Sequence, residues 1–88
     1  MTYYVYLIKA IKTDINKSYV GYTNNLDARI EKHNSNKGAK ATKGYIWKLI
    51  YSKKFKSKKL AMSYEYRFKK NYYLRNKIIK NFRLNEKI

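Results

Sequence analysis

Residues 4–34 decide the fold of this chain, and they read YVYLIKAIKTDINKSYVGYTNNLDARIEKHN. The stretch begins with aromatic and β-branched residues that place apolar side chains on both faces, which predicts a strand at residues 2–10 covered on both sides. A polar turn and a second aromatic segment, residues 18–22, predict a hairpin with a loop longer than two residues. The hairpin would bring Tyr6 and Tyr19 close together.

Caps and periodicity predict the elements that follow the hairpin. Thr23 or Asn24 can cap a helix that runs to about Asn34, because either side chain can accept a bond from a backbone N–H at the start of the helix. Residues 35–44 form a basic connection of small residues without periodicity, which predicts a flexible loop or an irregular helical turn. The apolar side chains of residues 45–52 predict a third strand.

Two further helices complete the predicted domain. Ser57 can cap a helix that ends near Lys70, and apolar side chains at four-residue spacing then predict an amphipathic basic helix over residues 71–88. A chain of 88 residues is large enough for one modest core. We therefore expect a single domain over residues 1–88, with its core at about residues 2–70.

The composition indicates the kind of partner. A formal net charge of +17 arises from 22 Lys and Arg against five Asp and Glu. Each phosphate that a cation neutralises releases counterions, so this charge favours nucleic acid over a merely solvated basic surface. Membrane binding is a weaker alternative, because no stretch joins a continuous basic face to a clean apolar one at the N-terminus. The absence of Cys and of an apolar run of ~18 residues predicts an intracellular location.

The first helix places two cationic side chains near an apolar stripe. At about 100° per residue, Leu26, Ile30 and His33 share one stripe, and Arg29 lies at its edge. An Arg or His there needs a counter-charge, a hydrogen-bond partner or an anionic ligand, because desolvating it unpaired is costly. The purely structural alternatives are an Arg29 whose stem covers the rim of the core and a packed, hydrogen-bonded His33.

Only one acid is placed to hold a metal. The helix that follows Ser57 has an apolar face made of Leu60, Ala61, Tyr64 and Phe68. Glu65 lies next to that face, whereas the other acids occupy exposed, turn or terminal positions; the alternative for Glu65 is an ion pair with one of the many lysines. So few carboxylates exclude a two-metal nuclease and a glycosidase-like acid pair, and no Ser-His-Asp arrangement or phosphate-binding glycine loop is visible. What remains is a one-metal site or no catalysis.

The order of these elements along the chain, together with the residues they carry, resembles the GIY-YIG nuclease domain over roughly residues 3–70. Tyr4-Val5-Tyr6 corresponds to the GIY element and Tyr19-Val20-Gly21 to YIG. Arg29 matches the family's helix arginine, and His33 matches the histidine four residues later. Glu65 matches the metal-binding glutamate. The chain is similar to the small single-domain bacterial branch and to the catalytic domain of the eukaryotic structure-specific endonuclease subunit that cuts branched DNA. The resemblance implies an α/β fold, with a three-stranded antiparallel β-sheet flanked by α-helices.

The resemblance also implies an activity and residue roles. The protein would be a metal-dependent DNA endonuclease that hydrolyses phosphodiester bonds in branched or flapped DNA, in repair or recombination. Glu65 would bind one Mg²⁺ or Mn²⁺, Arg29 would neutralise charge on the phosphoryl oxygens, and His33 would be a second proton acceptor. Tyr6 and Tyr19 would flank the attacking water, one of them as the general base or as the group that orients the water; a tyrosine base would need its pKa lowered by a nearby cation. Phosphate contacts that position DNA are predicted at Lys37, Lys40, Lys43, Lys53, Lys54 and Lys58.

Two other classes of function stay open. A non-catalytic nucleic-acid-binding module with this fold predicts salt-sensitive binding without cleavage. A small basic interaction protein predicts no preference for DNA over heparin. The eukaryotic relatives have a Cys-rich zinc domain and a protein scaffold partner, but this chain has no Cys, so a dependence on such a partner cannot be transferred.

Overall fold

A computed structural model describes residues 1–86, with side chains through Leu84. The last two residues of the predicted basic helix, 87 and 88, lie outside the described residues. The elements in chain order are β1 (Tyr3–Ile11), β2 (Ser18–Thr23), α1 (Leu26–Asn34), a 3₁₀ turn (Lys40–Thr42), β3 (Ile46–Phe55), α2 (Lys58–Lys70) and α3 (Tyr72–Glu86). The predicted α/β fold with a three-stranded antiparallel sheet is confirmed.

The sheet has β1 at its centre and β2 at one edge. β1 runs antiparallel to β2 on one side and to β3 on the other. Residues 5–10 are all buried, as expected for a strand that is covered on both faces. The register pairs Tyr6 with Gly21 and Ile8 with Tyr19, so the side chains of Tyr6 and Tyr19 lie on the same face of the sheet.

Each face of the sheet carries its own hydrophobic cluster. On one face, α1 packs Leu26 and Ile30 against a cluster made of Tyr6, Ile8, Ala10 and Trp47. On the other, α2 and α3 complete a cluster made of Val5, Leu7, Val20, Ala61, Phe68 and Ile79. Alternate residues of β1 therefore supply both clusters, because successive side chains of a strand point to opposite faces. No helix in the described part of the chain is long and apolar enough to cross a membrane.

The cap of α1 differs from the sequence expectation. The expected cap, Thr23 or Asn24, is wrong: the side chain of Asn25 accepts the bond from the backbone N–H of Ala28, at 3.1 Å. Thr23 instead accepts a bond from the backbone N–H of Asn25, also at 3.1 Å. The threonine thus closes the turn before the helix, and this turn moves the cap to Asn25.

The exposed edge of α2 also differs. Leu60, expected on the apolar face, is 56% exposed. It lies about 70° from the centre of the stripe that Ala61, Tyr64 and Phe68 define, and Glu65 lies about as far away on the opposite side. The side chain of Glu65 is 17% exposed. α2 is therefore rotated so that the edge carrying Glu65, rather than the one carrying Leu60, turns toward the sheet.

One other boundary moved. β3 continues to Phe55, beyond the expected end at residue 52, because Phe55 pairs with Tyr3 and its ring packs 5.1 Å from that of Tyr64. The connection after α1 contains the 3₁₀ turn. The cap of α2 is confirmed as Ser57, whose side chain accepts from the backbone N–H of Leu60 at 3.2 Å.

Candidate active site

A cleft of about 420 Å³ opens over the edge strand β2. Its lining comes from β1, β2, α1, α2 and the turn before α1, and consists of Tyr3, Tyr19, Tyr22, Thr23, Asn24, Arg29, Lys58 and Glu65. Since no strand of the described residues lies beyond β2, side chains from both faces of the sheet reach around this edge. Arg29 on α1 and Glu65 on α2, which belong to helices on opposite faces, therefore line the same cleft.

The five predicted catalytic residues divide into two layers. Tyr19, Arg29 and Glu65 line the cleft. Tyr6 and His33 lie behind it, with exposures of 0% and 1%. The ring of His33 lies between the two tyrosines, 5.1 Å from the ring of Tyr19 and 5.8 Å from that of Tyr6. His33 is therefore the buried centre of an aromatic group whose outer member, Tyr19, reaches the cleft.

The buried layer is held by hydrogen bonds and is uncharged. The hydroxyl of Tyr6 lies 2.8 Å from Nε2 of His33, and Nδ1 of His33 lies 2.9 Å from Oγ1 of Thr42. Burial raises the pKa of Tyr6, and the opposing effect of the nearby Arg29 is smaller. Burial also lowers the pKa of His33, and Arg29 adds to this effect. A tyrosine that acts as a general base needs a lowered pKa, whereas the pKa of Tyr6 is raised.

Two glycines leave room for this layer. A Cβ at Gly21 would lie 2.6 Å from Cζ of Tyr6, so an alanine there would overlap the tyrosine ring. A Cβ at Gly38 would lie 2.6 Å from Nδ1 of His33. Both glycines are needed because another side chain passes across them.

The connection between α1 and β3 is tied to both elements. The side chain of Asn34 accepts from the backbone N–H of Trp47 at 2.6 Å and donates to its carbonyl at 3.1 Å. The indole N–H of Trp47 donates to the carbonyl of Thr42 at 2.9 Å. Sequence reasoning assigned no role to Asn34 or Thr42. The signal that could have found Thr42 is a small hydroxyl residue in a basic loop that follows the helix of His33.

Glu65 is the acidic side chain of the cleft lining. Its Oε1 lies 3.7 Å from Nζ of Lys69, one helical turn away. Among residues 1–84, whose side chains the structure describes, no group of three or more His, Cys, Asp or Glu side chains comes together. Glu65 is therefore the carboxylate that the described residues place in the lining of this cleft.

The predicted DNA-contact lysines are spread over several surfaces. All six are exposed, and they are Lys37, Lys40, Lys43, Lys53, Lys54 and Lys58. Lys58 lines the cleft. Lys53 lines a separate groove beside Tyr64 and Arg67, with its Nζ 5.0 Å from the centre of the Tyr64 ring. The structure thus brings one of the six together with the predicted catalytic residues.

The cleft lies at the edge of a sheet whose central strand is antiparallel to both neighbours, and it is lined by an arginine from the first helix and a glutamate from a later helix. This arrangement is that of a GIY-YIG catalytic domain. The family model of that domain matches residues 2–79, and the chain belongs to this family, among the small UPF0213 proteins. The resemblance inferred from the sequence is confirmed. GIY-YIG domains are nuclease-type hydrolases, so DNA is the expected class of substrate. They generally depend on a divalent metal.

Individual relatives support the same assignment. The chain is 43% identical over 68 residues to a UPF0213 protein of Oceanobacillus iheyensis, which covers 76% of each chain. It is 46% identical over 68 residues to a UPF0213 protein of Staphylococcus haemolyticus, covering 76% of this chain and 79% of the relative. The solution NMR structure of a UPF0213 protein from Bacillus halodurans is similar with a TM-score of 0.52 and 35% identity, over 91% of this chain and 84% of the other.

Proposed function

We propose that this protein is a divalent-metal-dependent DNA endonuclease that hydrolyses phosphodiester bonds in branched, flapped or otherwise distorted DNA, in repair or recombination. The observation that carries the proposal is the convergence of Tyr19, Arg29 and Glu65 on one cleft from three separate elements. Hydrolysis needs a cation at the phosphoryl oxygens, a metal ligand and a group that orients water, and these side chains can supply them. The preference for distorted DNA rests on the resemblance to the branched-DNA endonuclease subunit.

The side chains have distinct roles in this proposal. Arg29 neutralises the charge that grows on the phosphoryl oxygens, where a preorganised cation is most effective. Tyr19 lies at the cleft surface, so its hydroxyl can orient the attacking water, and its phenolate form can accept the proton of that water. Tyr6 and His33 do not line the cleft, and they act by holding Arg29 and Tyr19 from behind. Lys58 contacts the DNA backbone and positions it without reading its sequence.

Glu65 fits a single hard cation. Mg²⁺ is commonly bound through one or two carboxylates, substrate phosphates and several waters, so one partly buried carboxylate facing a cleft suits it, and Mn²⁺ accepts similar ligands. When bound, the ion supplies Lewis-acid polarisation of the scissile phosphate. The ion pair of Glu65 with Lys69 does not oppose metal binding strongly, because the lysine is 52% exposed and such pairs contribute little.

Cleavage of labelled DNA by matched variants tests the proposal. The substrates are duplex, flap and four-way-junction DNA with Mg²⁺, with Mn²⁺ and with a chelator. We expect cutting to need metal, to be strongest on the flap or junction, to be lost in Glu65→Gln, and to fall by about 10²–10³-fold in Arg29→Ala. Glu31→Gln removes an exposed acid on the outer side of α1 and should leave cutting unchanged. Cutting that survives the chelator or Glu65→Gln would refute the metal role of Glu65.

One observation favours a second candidate function, a non-catalytic nucleic-acid-binding module. Glu65 already has a cationic neighbour in Lys69, and the other side chains that line the cleft include no second acid. This candidate predicts DNA binding that weakens steeply with salt, that is unaffected by the chelator, and that is not followed by cutting of any substrate. Binding without cutting under all conditions would support it over the nuclease.

A further inference from the structure

Thr42 lies behind the cleft, and its side chain is fully buried against His33. We propose that Thr42 is a positioning residue whose hydroxyl keeps the proton of His33 on Nδ1 and thereby sets the direction of the hydrogen bond between Tyr6 and His33. The consequence for DNA cleavage rests on the proposed function. The tautomer itself is a property of the folded chain and can be measured without DNA.

Tyr6, His33 and Thr42 form a chain of two hydrogen bonds. At the Thr42 end of this chain, the surroundings of the hydroxyl decide which atom donates in each bond. The hydroxyl of Thr42 has one proton, and the carbonyl of Ala39, 2.7 Å away, can only accept it. Oγ1 of Thr42 must then accept from Nδ1 of His33, at 2.9 Å, so Nδ1 carries a proton. A neutral imidazole protonated on Nδ1 has a bare Nε2, which accepts the proton of the Tyr6 hydroxyl at 2.8 Å.

The cleft end favours the same direction. The guanidinium of Arg29 lies close enough to Tyr6 for its positive charge to lower the pKa of the hydroxyl, against the larger effect of burial. This positive charge favours the arrangement in which the Tyr6 oxygen faces Arg29 and the tyrosine proton points to Nε2 of His33. With the opposite tautomer, the Nε2–H of His33 would donate to the oxygen of Tyr6, and the tyrosine proton would lose its acceptor at a site with 0% exposure.

The turn that carries Thr42 is held against His33. The backbone N–H of Thr42 donates to the carbonyl of Ala39 at 3.0 Å and closes the 3₁₀ turn. The indole N–H of Trp47 holds the carbonyl of Thr42 from the other side, at 2.9 Å. The missing Cβ of Gly38 lets the chain pass close to His33. The hydroxyl is thus fixed by its own backbone in the position that accepts from Nδ1.

This direction has a consequence at the cleft. With its proton on the side of His33, the Tyr6 hydroxyl turns its negative end toward the positive charge of Arg29, which favours the position in which the guanidinium can meet the scissile phosphate. Without the hydroxyl of Thr42, both tautomers of His33 become accessible, and Tyr6 no longer presents one arrangement to Arg29. A displaced Arg29 slows the chemical step, whereas affinity for DNA comes mainly from many backbone contacts. The expected effect is therefore a lower kcat with little change in KM.

The single histidine of this chain makes the tautomer directly measurable. In ¹⁵N-labelled protein, long-range ¹⁵N–¹H spectra report His33 alone. We expect a protonated Nδ1 and an unprotonated Nε2 in the wild type and in Thr42→Ser, which keeps the hydroxyl. Thr42→Val keeps the side-chain shape without the hydroxyl and should give a mixture of tautomers. Thr13→Val changes an exposed threonine in the β1–β2 turn and should give the wild-type spectrum.

Kinetics with the same variants complete the test. We expect Thr42→Val to lower kcat roughly tenfold to a hundredfold, about the loss that follows removal of the hydrogen-bond partner of a metal-ligating histidine, while KM changes by less than about twofold. Thr42→Ser should restore kcat. A proton on Nε2 in the wild type overturns the inference, and so does a folded Thr42→Val variant that keeps one tautomer or keeps its kcat. A wild type that cuts no DNA overturns the proposed function instead, and the NMR result still decides the tautomer.

Discussion

Replacement of Gly21 by alanine tests the packing beneath the cleft. Gly21 pairs with Tyr6 across the β1–β2 ladder, and a Cβ there would lie 2.6 Å from Cζ and 3.0 Å from Cε2 of the tyrosine. Backbone entropy alone would favour alanine over glycine within a strand by about 0.5–1 kcal/mol. The ring of Tyr6, however, is fully buried and bonded to His33, so it cannot move aside freely. Overpacking of this kind typically costs about 1–3 kcal/mol.

The two effects of Gly21→Ala have opposite signs, and the steric cost is the larger. We expect the free energy of unfolding to fall by about 1–2 kcal/mol, which lowers Tm by roughly 4–16 °C in a domain of this size. Circular dichroism during heating measures the change. Ser52→Ala, at an exposed position on β3 that pairs with Tyr6 from the other side, is the control and should stay within about 0.5 kcal/mol of wild type. A Tm for Gly21→Ala at or above that of the wild type would refute the close approach of the Tyr6 ring.

Three further predictions concern stability. Burial lowers the pKa of His33, so below about pH 6.5 the unfolded chain binds a proton that the folded chain does not, and the free energy of unfolding should fall between pH 7 and 5. A flat urea-derived free energy over that range would contradict this. Asn25→Ala should lower the free energy of unfolding by about 1 kcal/mol and Asn24→Ala by less than about 0.5, and equal losses would refute the assigned cap. Asn34→Leu removes both bonds to Trp47, so it should cost about 1–3 kcal/mol and shift the emission of the single tryptophan; unchanged emission would show that the loop is held in another way.

Local sequence patterns were enough to predict the helices and strands. A strand with apolar residues on both faces predicted a covered strand, and β1 is the central strand of the sheet. Ser57 caps α2 as its position before a periodic segment predicted. The cap of α1 was misplaced by one or two residues, because Thr23, Asn24 and Asn25 are all competent caps and only the turn closed by Thr23 selects among them. Local chemistry thus defined the kinds of element more reliably than their ends.

The candidate site was readable only in part. Helical periodicity placed Arg29 and Glu65 at the edges of apolar stripes, and each is partly buried in the structure. Periodicity could not distinguish the edge of α2 that carries Leu60 from the edge that carries Glu65, because both lie about 70° from the centre of the stripe. The rotation of α2 against the sheet decided between them. Lys58 could not be separated from the other lysines, because exposed charges have no periodic signature.

The sequence by itself therefore determined the order of the elements, the faces that they bury and the residue types available for chemistry. The tertiary structure alone decided that Arg29 and Glu65 share a cleft, since they sit on helices on opposite faces and meet only because β2 is the edge of the sheet. It also decided the buried chain from Tyr6 through His33 to Thr42, whose partners are separated by 27 and 9 positions. The physical reason is that periodicity governs which side chains share one face of one element, whereas distances between elements depend on packing and hydrogen bonds between residues far apart in the chain.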